Sequence, residues 1–525
     1  MTSREGWSAR RAREQGRGEA VRTVASDVGV MLLVPAALSV TGLVVAVLAR
    51  EWFAVPGFVG VAAVAGGAGQ ALRRLSGPPS AGSTRQSLIA VALGWLLVAV
   101  IAAVPFLVAA RLGHAVGGDV GSADVFADPW SALFEGMSGF TSTGLTMVDA
   151  ESELPHALQW WRSILEWTGG AGVVVFALAI TQGEGGYDLY KAEGRSRRLR
   201  ADAHVTARRI WRILLAVTAG SVLLLLAAGA HPWVALNHGL TGISTGGMVI
   251  TDDSFAGTSA AVRLAGIVIM TAGALSYGSL LLLLDCDLAG FVRLTQVRAL
   301  GIALAVGAAV VLGVQQFRGG EGGPLDAVFL WVSALTTSGF STADVAPLPV
   351  ATVLLLLAAM FVGGSAGSTS GGIKLRRAVW LGRALLRSPA LVESSSPDGR
   401  RWRTDGHDMP PDAGRRAVVA AAALVAAYAV TLAIGTLLLS LSTDGTLRQV
   451  LFDATSALNT VGLTSGLTTS DLPWHAKAEL MMLMWMGRLE VLAVAVLLAA
   501  PVAKGLRLVA GSGRSGRRAE SPPES

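Results

Sequence analysis

PWSALFEGMSGFTSTGLT at 129–146, PWVALNHGLTGISTGGM at 232–248, PLDAVFLWVSALTTSGFS at 324–341 and LRQVLFDATSALNTVGLT at 447–464 decide how this chain folds. Each segment opens as an apolar stretch too short to cross a bilayer and closes in a Ser/Thr/Gly cluster. One such cluster would mark an ordinary turn. The shared glycines Gly144, Gly246, Gly339 and Gly462 recur at spacings of 102, 93 and 123 residues, an internal repeat of about 100 residues. Four units of span, short helix, polar Gly loop and span predict fourfold pseudosymmetry around one axis.

The rest of the chain supplies the spans. Of its 525 residues 52% are hydrophobic and 15% charged, and the mean hydropathy is +0.56. Soluble proteins carry roughly 25% charged residues. The composition therefore excludes a soluble globular enzyme and a disordered chain. Runs long enough to cross roughly 30 Å of hydrocarbon fall near 28–49, 54–72, 87–110, 157–181, 210–229, 260–284, 298–317, 350–372, 417–441 and 477–503. The first is too long for a signal-peptide core and is read as a transmembrane helix after a basic N-terminus. The fold class expected is an all-α polytopic membrane protein of about ten helices, with four helix–loop–helix repeats around a central pore.

The connecting segments sort by charge. Arg73 and Arg74, residues 191–209, Arg293 and Arg298, residues 374–416 and residues 504–518 are basic. Asp119, Asp124, Asp128, Asp149, Glu151, Glu153, Asp252, Asp253, Glu321, Asp326, Asp344, Asp444, Asp453 and Asp471 make the other set acidic. Basic loops stay on the cytoplasmic side, so both termini are expected inside. The net charge of +6 is then a topology signal rather than a nucleic-acid footprint.

The boundaries expected are 1–27 (basic N-terminus), 28–86 (two helices outside the repeat), 87–185, 186–290, 291–373 and 416–505 (pore repeats one to four), 374–415 (a polar, poorly ordered cytoplasmic connection) and 506–525 (a disordered tail).

Irregular backbone at membrane depth survives only where protein or a water-filled cavity satisfies it. The four clusters are therefore read as re-entrant loops. Glycine suits a chain that turns its carbonyls toward an axis. Four such loops offer rings of oxygens able to replace the hydration shell of an alkali cation, with the C-terminal dipole ends of the short helices aimed at the same place. The filter residues expected are Thr143, Gly144, Thr245, Gly246, Ser338, Gly339, Val461 and Gly462, supported by Ser142, Ser244, Thr337 and Thr460. Loop two carries Met248 where the others are read with Thr or Ser, lowering the oxygen density of that quadrant.

Two further features point to a gate. GGSAGSTSGG at 363–372 interrupts an apolar run with Gly363, Gly364, Gly367, Gly371 and Gly372. Each glycine costs about 1 kcal/mol in a helix relative to Ala, so a break or mobile loop is expected; the alternative is a packing seam. Arg488 lies within the last span, where a charge faces a cavity or a partner. It is either a cationic barrier, a tether for 363–372 or half of an ion pair. Glu166, inside the span 157–181, is expected to pair with Arg162 four residues earlier.

Chemistry of other kinds is not signalled. Cys286 is the one cysteine, so there is no intrachain disulfide. No H-E-x-x-H, G-x-S-x-G or G-x-x-x-x-G-K-[ST] occurs. His238, in the second short helix, is read as a packing residue, with a sensor of external pH as the alternative.

The chain resembles the Trk/Ktr/HKT superfamily of potassium transporters, and most the bacterial TrkH/TrkG-type subunit. The resemblance rests on the four loops and on WWRSILEWTGGAGVVVF (160–176), YKAEGRSRRLRADAHVTARRIW (190–211), FVGGSAGSTSGGIKLRR (361–377) and LMWMGRLEVLAV (483–494). It implies potassium uptake across the inner membrane through a filter that holds K⁺ at the residues above, with 363–372 as an intramembrane gating loop and no other cofactor. It also implies a homodimer and a cytosolic nucleotide-binding ring of the TrkA/KtrA type. Gly144, where plant relatives that favour sodium have Ser, implies potassium. A sodium-permeable or sodium- or proton-coupled symporter on the same scaffold, and a non-conducting regulatory protein, are the rival expectations.

Overall fold

The computed structural model describes residues 2–77, 83–115, 120–180, 203–318, 323–393, 402–404, 407–409, 411–491 and 493–498. Residues 190–202 of the connection and the tail at 506–525 lie outside the described residues.

The chain is helical. α1 (Thr2–Leu48), α2 (Val55–Ser76) and α3 (Thr84–Ala115) come first, then α4 (Pro129–Thr141) and α5 (His156–Ile180). α6 (Ala203–Ala227), α7 (Pro232–Ile243), α8 (Ala260–Gly273) and α9 (Tyr277–Leu284) form the second repeat. α10 (Leu288–Arg293) leads into α11 (Thr295–Arg318), α12 (Pro324–Thr336) and α13 (Val350–Val362) of the third. After α14 (Leu375–Glu393), the fourth repeat holds α15 (Pro411–Ser442), α16 (Leu447–Leu458) and α17 (Trp474–Arg488). Two three-residue strands, β1 (Trp402–Thr404) and β2 (His407–Met409), pair antiparallel with Arg403 opposite Asp408. They place regular structure inside the connection expected to be poorly ordered.

Six helices among the described residues are long and apolar enough to cross a membrane, and a seventh if α8 and α9 count as one bent span. The apolar surfaces of α11 and α15 face outward. Only 11% of the apolar window of Arg416–Ser442, and 17% of that of Thr295–Phe317, is buried inside the protein. Surface of that extent and hydropathy needs lipid rather than water beside it. The chain is a multi-pass membrane protein.

Three of the expected spans are interrupted, and of these the sequence predicts only the break at 363–372. The 260–284 run bends by 115° between α8 and α9; Ser259 caps the first piece and Ser276 the second. The 350–372 run stops at Val362 because Gly363 takes φ +71°. The 477–503 run stops at Arg488, with Glu490 and Val491 both at positive φ. Apolar residues run up to the first and third breaks on both sides and conceal them in the sequence, whereas the five glycines of 363–372 announce the second.

α1 and α2 pack on one another and α1 also on the first repeat. Glu51, in the turn between them, accepts the N–H groups of His156 (2.7 Å) and Ala157 (2.9 Å) at the start of α5. The four short helices α4, α7, α12 and α16 occupy the centre. Their C-terminal halves are wholly buried, whereas α11 and α15 line the outside.

Candidate pore and gate

Each short helix starts where its sequence supplies a cap. Asp128 accepts from the N–H groups of Trp130 and Ser131 ahead of Pro129, and Thr446 forms a capping box with Gln449. α7 and α12 carry Pro in the first turn. Pro lacks the N–H that would be orphaned there.

All four end alike. Ser142, Thr245, Thr337 and Thr460 are left-handed, with φ +51°, +52°, +57° and +48°. The next N–H, of Thr143, Gly246, Ser338 and Val461, donates five residues back to Ser138, Thr241, Ser333 and Ser456. This is the Schellman pattern, which satisfies helix-end carbonyls. A glycine at positive φ follows each time: Gly144 (+87°), Gly247 (+84°), Gly339 (+75°) and Gly462 (+96°).

This geometry corrects the register of loop two. The counterpart of Gly144 is Gly247, not Gly246. Each such glycine stands 15 residues after the first residue of its short helix (144 − 129, 247 − 232, 339 − 324, 462 − 447). Thr245 is therefore the left-handed residue and Ser244 the last of the helical turn. Met248 then matches the apolar Leu145, Phe340 and Leu463 and is not the odd residue. The polar position lost in this quadrant is Val249, where the others have Thr146, Ser341 and Thr464.

The four loops close on one another. A Cβ on Gly144 would strike the carbonyl oxygen of Gly246, and one on Gly247 that of Ser338. One on Gly339 would strike that of Val461, and one on Gly462 that of Thr143. Loop one thus meets two, two meets three, three meets four and four meets one. The carbonyls of Thr143, Gly246, Ser338 and Val461 stand at equivalent places around an axis.

The expected Glu166–Arg162 pair is not formed. Arg162 Nε donates instead to Glu135 Oε1 at 2.6 Å, with both side chains at most 1% exposed, and its Nη1 donates to Val249 O. Glu166, fully buried, accepts the Met248 N–H at 3.0 Å behind loop two. Its backbone carbonyl accepts the Ser142 hydroxyl of loop one. Asp453, read with the acidic outer loops, is also fully buried. Glu166 is marked in sequence by its place inside a span; for Glu135 and Asp453 the available signal is their position on the short helices α4 and α16.

Residues 363–372 lie directly beneath the loops and are largely buried. Gly363, Gly367 and Gly372 take positive φ. Ser365 N–H donates to Ala274 O, at the break between α8 and α9, and Gly367 O accepts from Tyr277 N–H. The Thr369 hydroxyl lies 3.0 Å from Ile243 O and 2.9 Å from Gly273 O. Gly371 N–H donates to the Thr337 hydroxyl of loop three at 2.7 Å, and Gly364 packs against Ala274. Arg488 reaches the same segment: Nη1 donates to Thr369 O, and Nη2 to Gly169 O and Gly170 O. These contacts join residues 363–372 to α5 and to the end of α17. Glu490, beyond the end of α17, pairs with Arg377 of α14 at 2.8 Å.

A membrane protein of four inserted short helices, each ending in a carbonyl-presenting loop over an irregular segment, belongs to the class built to pass a small solute along its axis. The TrkH family model, described as a cation transport protein, matches residues 120–287 and 291–505, and the chain belongs to the TrkH family. It is 30% identical over 447 residues to an uncharacterized cation transporter of Methanocaldococcus jannaschii, covering 84% of this chain and 88% of that one. It is 30% identical over 430 residues to the Trk system potassium uptake protein TrkH of Halomonas elongata, covering 79% and 85%. The crystal structure of the potassium transporter TrkH from Vibrio parahaemolyticus superposes with a TM-score of 0.76 at 26% identity, covering 91% of this chain and 99% of that one. The family is one of transporters, not enzymes.

Proposed function

We propose that the chain is the membrane subunit of a Trk-type potassium uptake system of the cytoplasmic membrane. K⁺ passes inward through the ring formed by Thr143–Gly144, Gly246–Gly247, Ser338–Gly339 and Val461–Gly462. The observation that carries this is the closure of the loops, each glycine against the next loop's carbonyl. A ring so braced offers fixed oxygens in place of a hydration shell. The named potassium uptake relatives support K⁺ as the ion.

Residues 363–372 act as the gate. The segment hangs from carbonyls of the second repeat, a hydroxyl of the third and Arg488 of the fourth. Displacing it opens the path below the ring. A homodimer and a cytosolic nucleotide-binding ring of the TrkA/KtrA type complete the working unit. Both termini lie on the cytoplasmic side, where the basic loops belong. Apart from the transported K⁺, the chain needs no cofactor.

The test is cation flux into proteoliposomes, comparing K⁺, Rb⁺, Na⁺ and Li⁺ with and without a proton gradient. The wild-type chain is expected to prefer K⁺ and Rb⁺ whatever the gradient, and Gly144→Ser to raise Na⁺ flux relative to K⁺. Gradient-driven flux would make it a coupled symporter, and an unchanged ratio in Gly144→Ser would remove the filter assignment.

A further inference from the structure

The corrected register exposes a second fourfold position. Glu135, His238, Leu330 and Asp453 each stand nine residues before their loop's positive-φ glycine (144 − 135, 247 − 238, 339 − 330, 462 − 453), and all four are buried. In three repeats this side chain accepts the N–H of the third residue beyond that glycine. Met147 N–H donates to Glu135 Oε2 at 3.3 Å, Ile250 N–H to His238 Nε2 at 3.3 Å, and Ser465 N–H to Asp453 Oδ1 at 2.8 Å. Glu135 also takes the Thr146 hydroxyl, and Asp453 the hydroxyls of Thr464, Ser465 and Thr468 and the N–H of Thr468.

The three acceptors are chemically unlike. Glu135 is balanced by Arg162. Asp453 is solvated by hydroxyls and amides. His238 accepts at Nε2, so it is a neutral imidazole, packed between Phe255 and Phe340. What they share is a lone pair at one place. In the third repeat Leu330 has none to offer. There the outgoing strand is held one residue earlier and from outside: Ser341 N–H donates to Ser254 Oγ of the second repeat at 3.1 Å, and Ser341 O accepts Phe255 N–H.

We infer that Glu135, His238 and Asp453 are positioning residues that set cation discrimination. Each pins the strand leaving its loop, so the carbonyl ahead of the glycine is held from both sides, by the Schellman end before it and by the strut after it. A loop fixed at both ends does not contract around a smaller ion. The third quadrant, with Leu330, takes up what adjustment the ring needs. The inference rests on the potassium-filter reading.

The experiment compares K⁺ and Na⁺ flux in proteoliposomes and the melting temperature of the purified full-length chain. His238→Leu gives quadrant two the chemistry already tolerated in quadrant three. It should lower the K⁺/Na⁺ ratio by about fivefold, the worth of one hydrogen bond. His238→Gln, which keeps an acceptor, should restore the ratio. Asp453→Asn, which keeps the volume but weakens the acceptor, should lower it as His238→Leu does and serves if His238→Leu does not fold. Leu330→Met should leave it unchanged. A K⁺-selective wild type whose strut variants melt earlier but keep its ratio overturns the inference and leaves the filter reading standing. A wild type that does not discriminate removes the filter reading, and this inference with it.

Discussion

Gly246 and Gly247 differ by one place in the chain and by a great deal in what a methyl group would meet. A Cβ on Gly247 collides with the Ser338 carbonyl at a φ of +84°, where L residues are strained. One on Gly246 collides instead with the Glu166 carboxyl, the far end of a side chain that can turn. Gly247→Ala is therefore expected to cut K⁺ flux more than tenfold, as backbone strain of about 1–3 kcal/mol is added to a ring that cannot give. Gly246→Ala should lose less, and Gly246→Ala with Glu166→Ala should recover most of it; ⁸⁶Rb⁺ uptake reads all three. Equal losses at the two positions would put the register back where the sequence places it. The sequence could not decide this, because ISTGGM has two adjacent glycines, and Ser244-Thr245-Gly246 matches Ser142-Thr143-Gly144 of loop one as readily as Thr245-Gly246-Gly247 matches Thr460-Val461-Gly462 of loop four. Counting from the helix start decides, and that count needs the helix. Glu166 was legible as unusual. Its partner was not, since four-residue spacing on a helix favours Arg162 while the fold sends Arg162 to Glu135, 27 residues away along the chain.

Whole elements show a similar division between what pattern reveals and what contact decides. The glycine-rich interruption at 363–372 was readable as a break because five glycines weaken any helix. Where its hydrogen bonds go was not readable. They go partly to the gap between α8 and α9, a break hidden inside an unbroken apolar run. Arg488 supplies three charge-assisted bonds to backbone at this segment and at α5. Arg488→Ala should accordingly raise basal K⁺ flux severalfold in the chain alone, while Arg488→Lys, with a narrower donor reach, should fall between; a flux at or below wild type in folded Arg488→Ala would exclude the tether. Between the first loop and α5, the short turn Glu151–Glu153 carries a titrating load. Burial pushes the Glu151 carboxyl up to about 7 against the opposing pull of Arg162. A carboxyl raised on folding stabilises the protein in its protonated form. Its contribution is full below the ordinary value of 4.5, shrinks as pH rises toward about 7 and is level above. Thermal melts between pH 5 and 8 should show that decline in the wild type and less of it in Glu151→Gln. A decline as steep in the variant would assign the titration elsewhere.

Across the whole molecule the four repeats are alike at the axis and unlike where residues 363–372, α14 and the end of α17 meet. Fourfold likeness was legible because each short helix and loop is a local string that repeats. The asymmetry was not, because it is made by contacts between repeats. Its clearest case joins the third repeat to the fourth. Arg377, on the first turn of α14 just past residues 363–372, grips Glu490 with both terminal nitrogens at 3.0 and 2.8 Å. The two side chains are 13% and 22% exposed. Glu490 and Val491 hold φ of +59° and +61°. Two successive left-handed residues without glycine persist only where the surroundings hold them. Tyr428 of α15 donates to Gly487 O on the other side of the same helix end. The Arg377–Glu490 pair therefore fixes a strained helix end against the element that follows residues 363–372, and a pull on α14 reaches Arg488 through two residues. Losing either charge should let the end of α17 relax and loosen the Arg488 tether. Arg377→Gln and Glu490→Gln should each raise basal flux, and the double variant should raise it no further than either single change. That non-additivity, on the order of 1 kcal/mol in a double-mutant cycle, is the sign of one shared contact; additive effects would mean that α14 and α17 act on the gate separately.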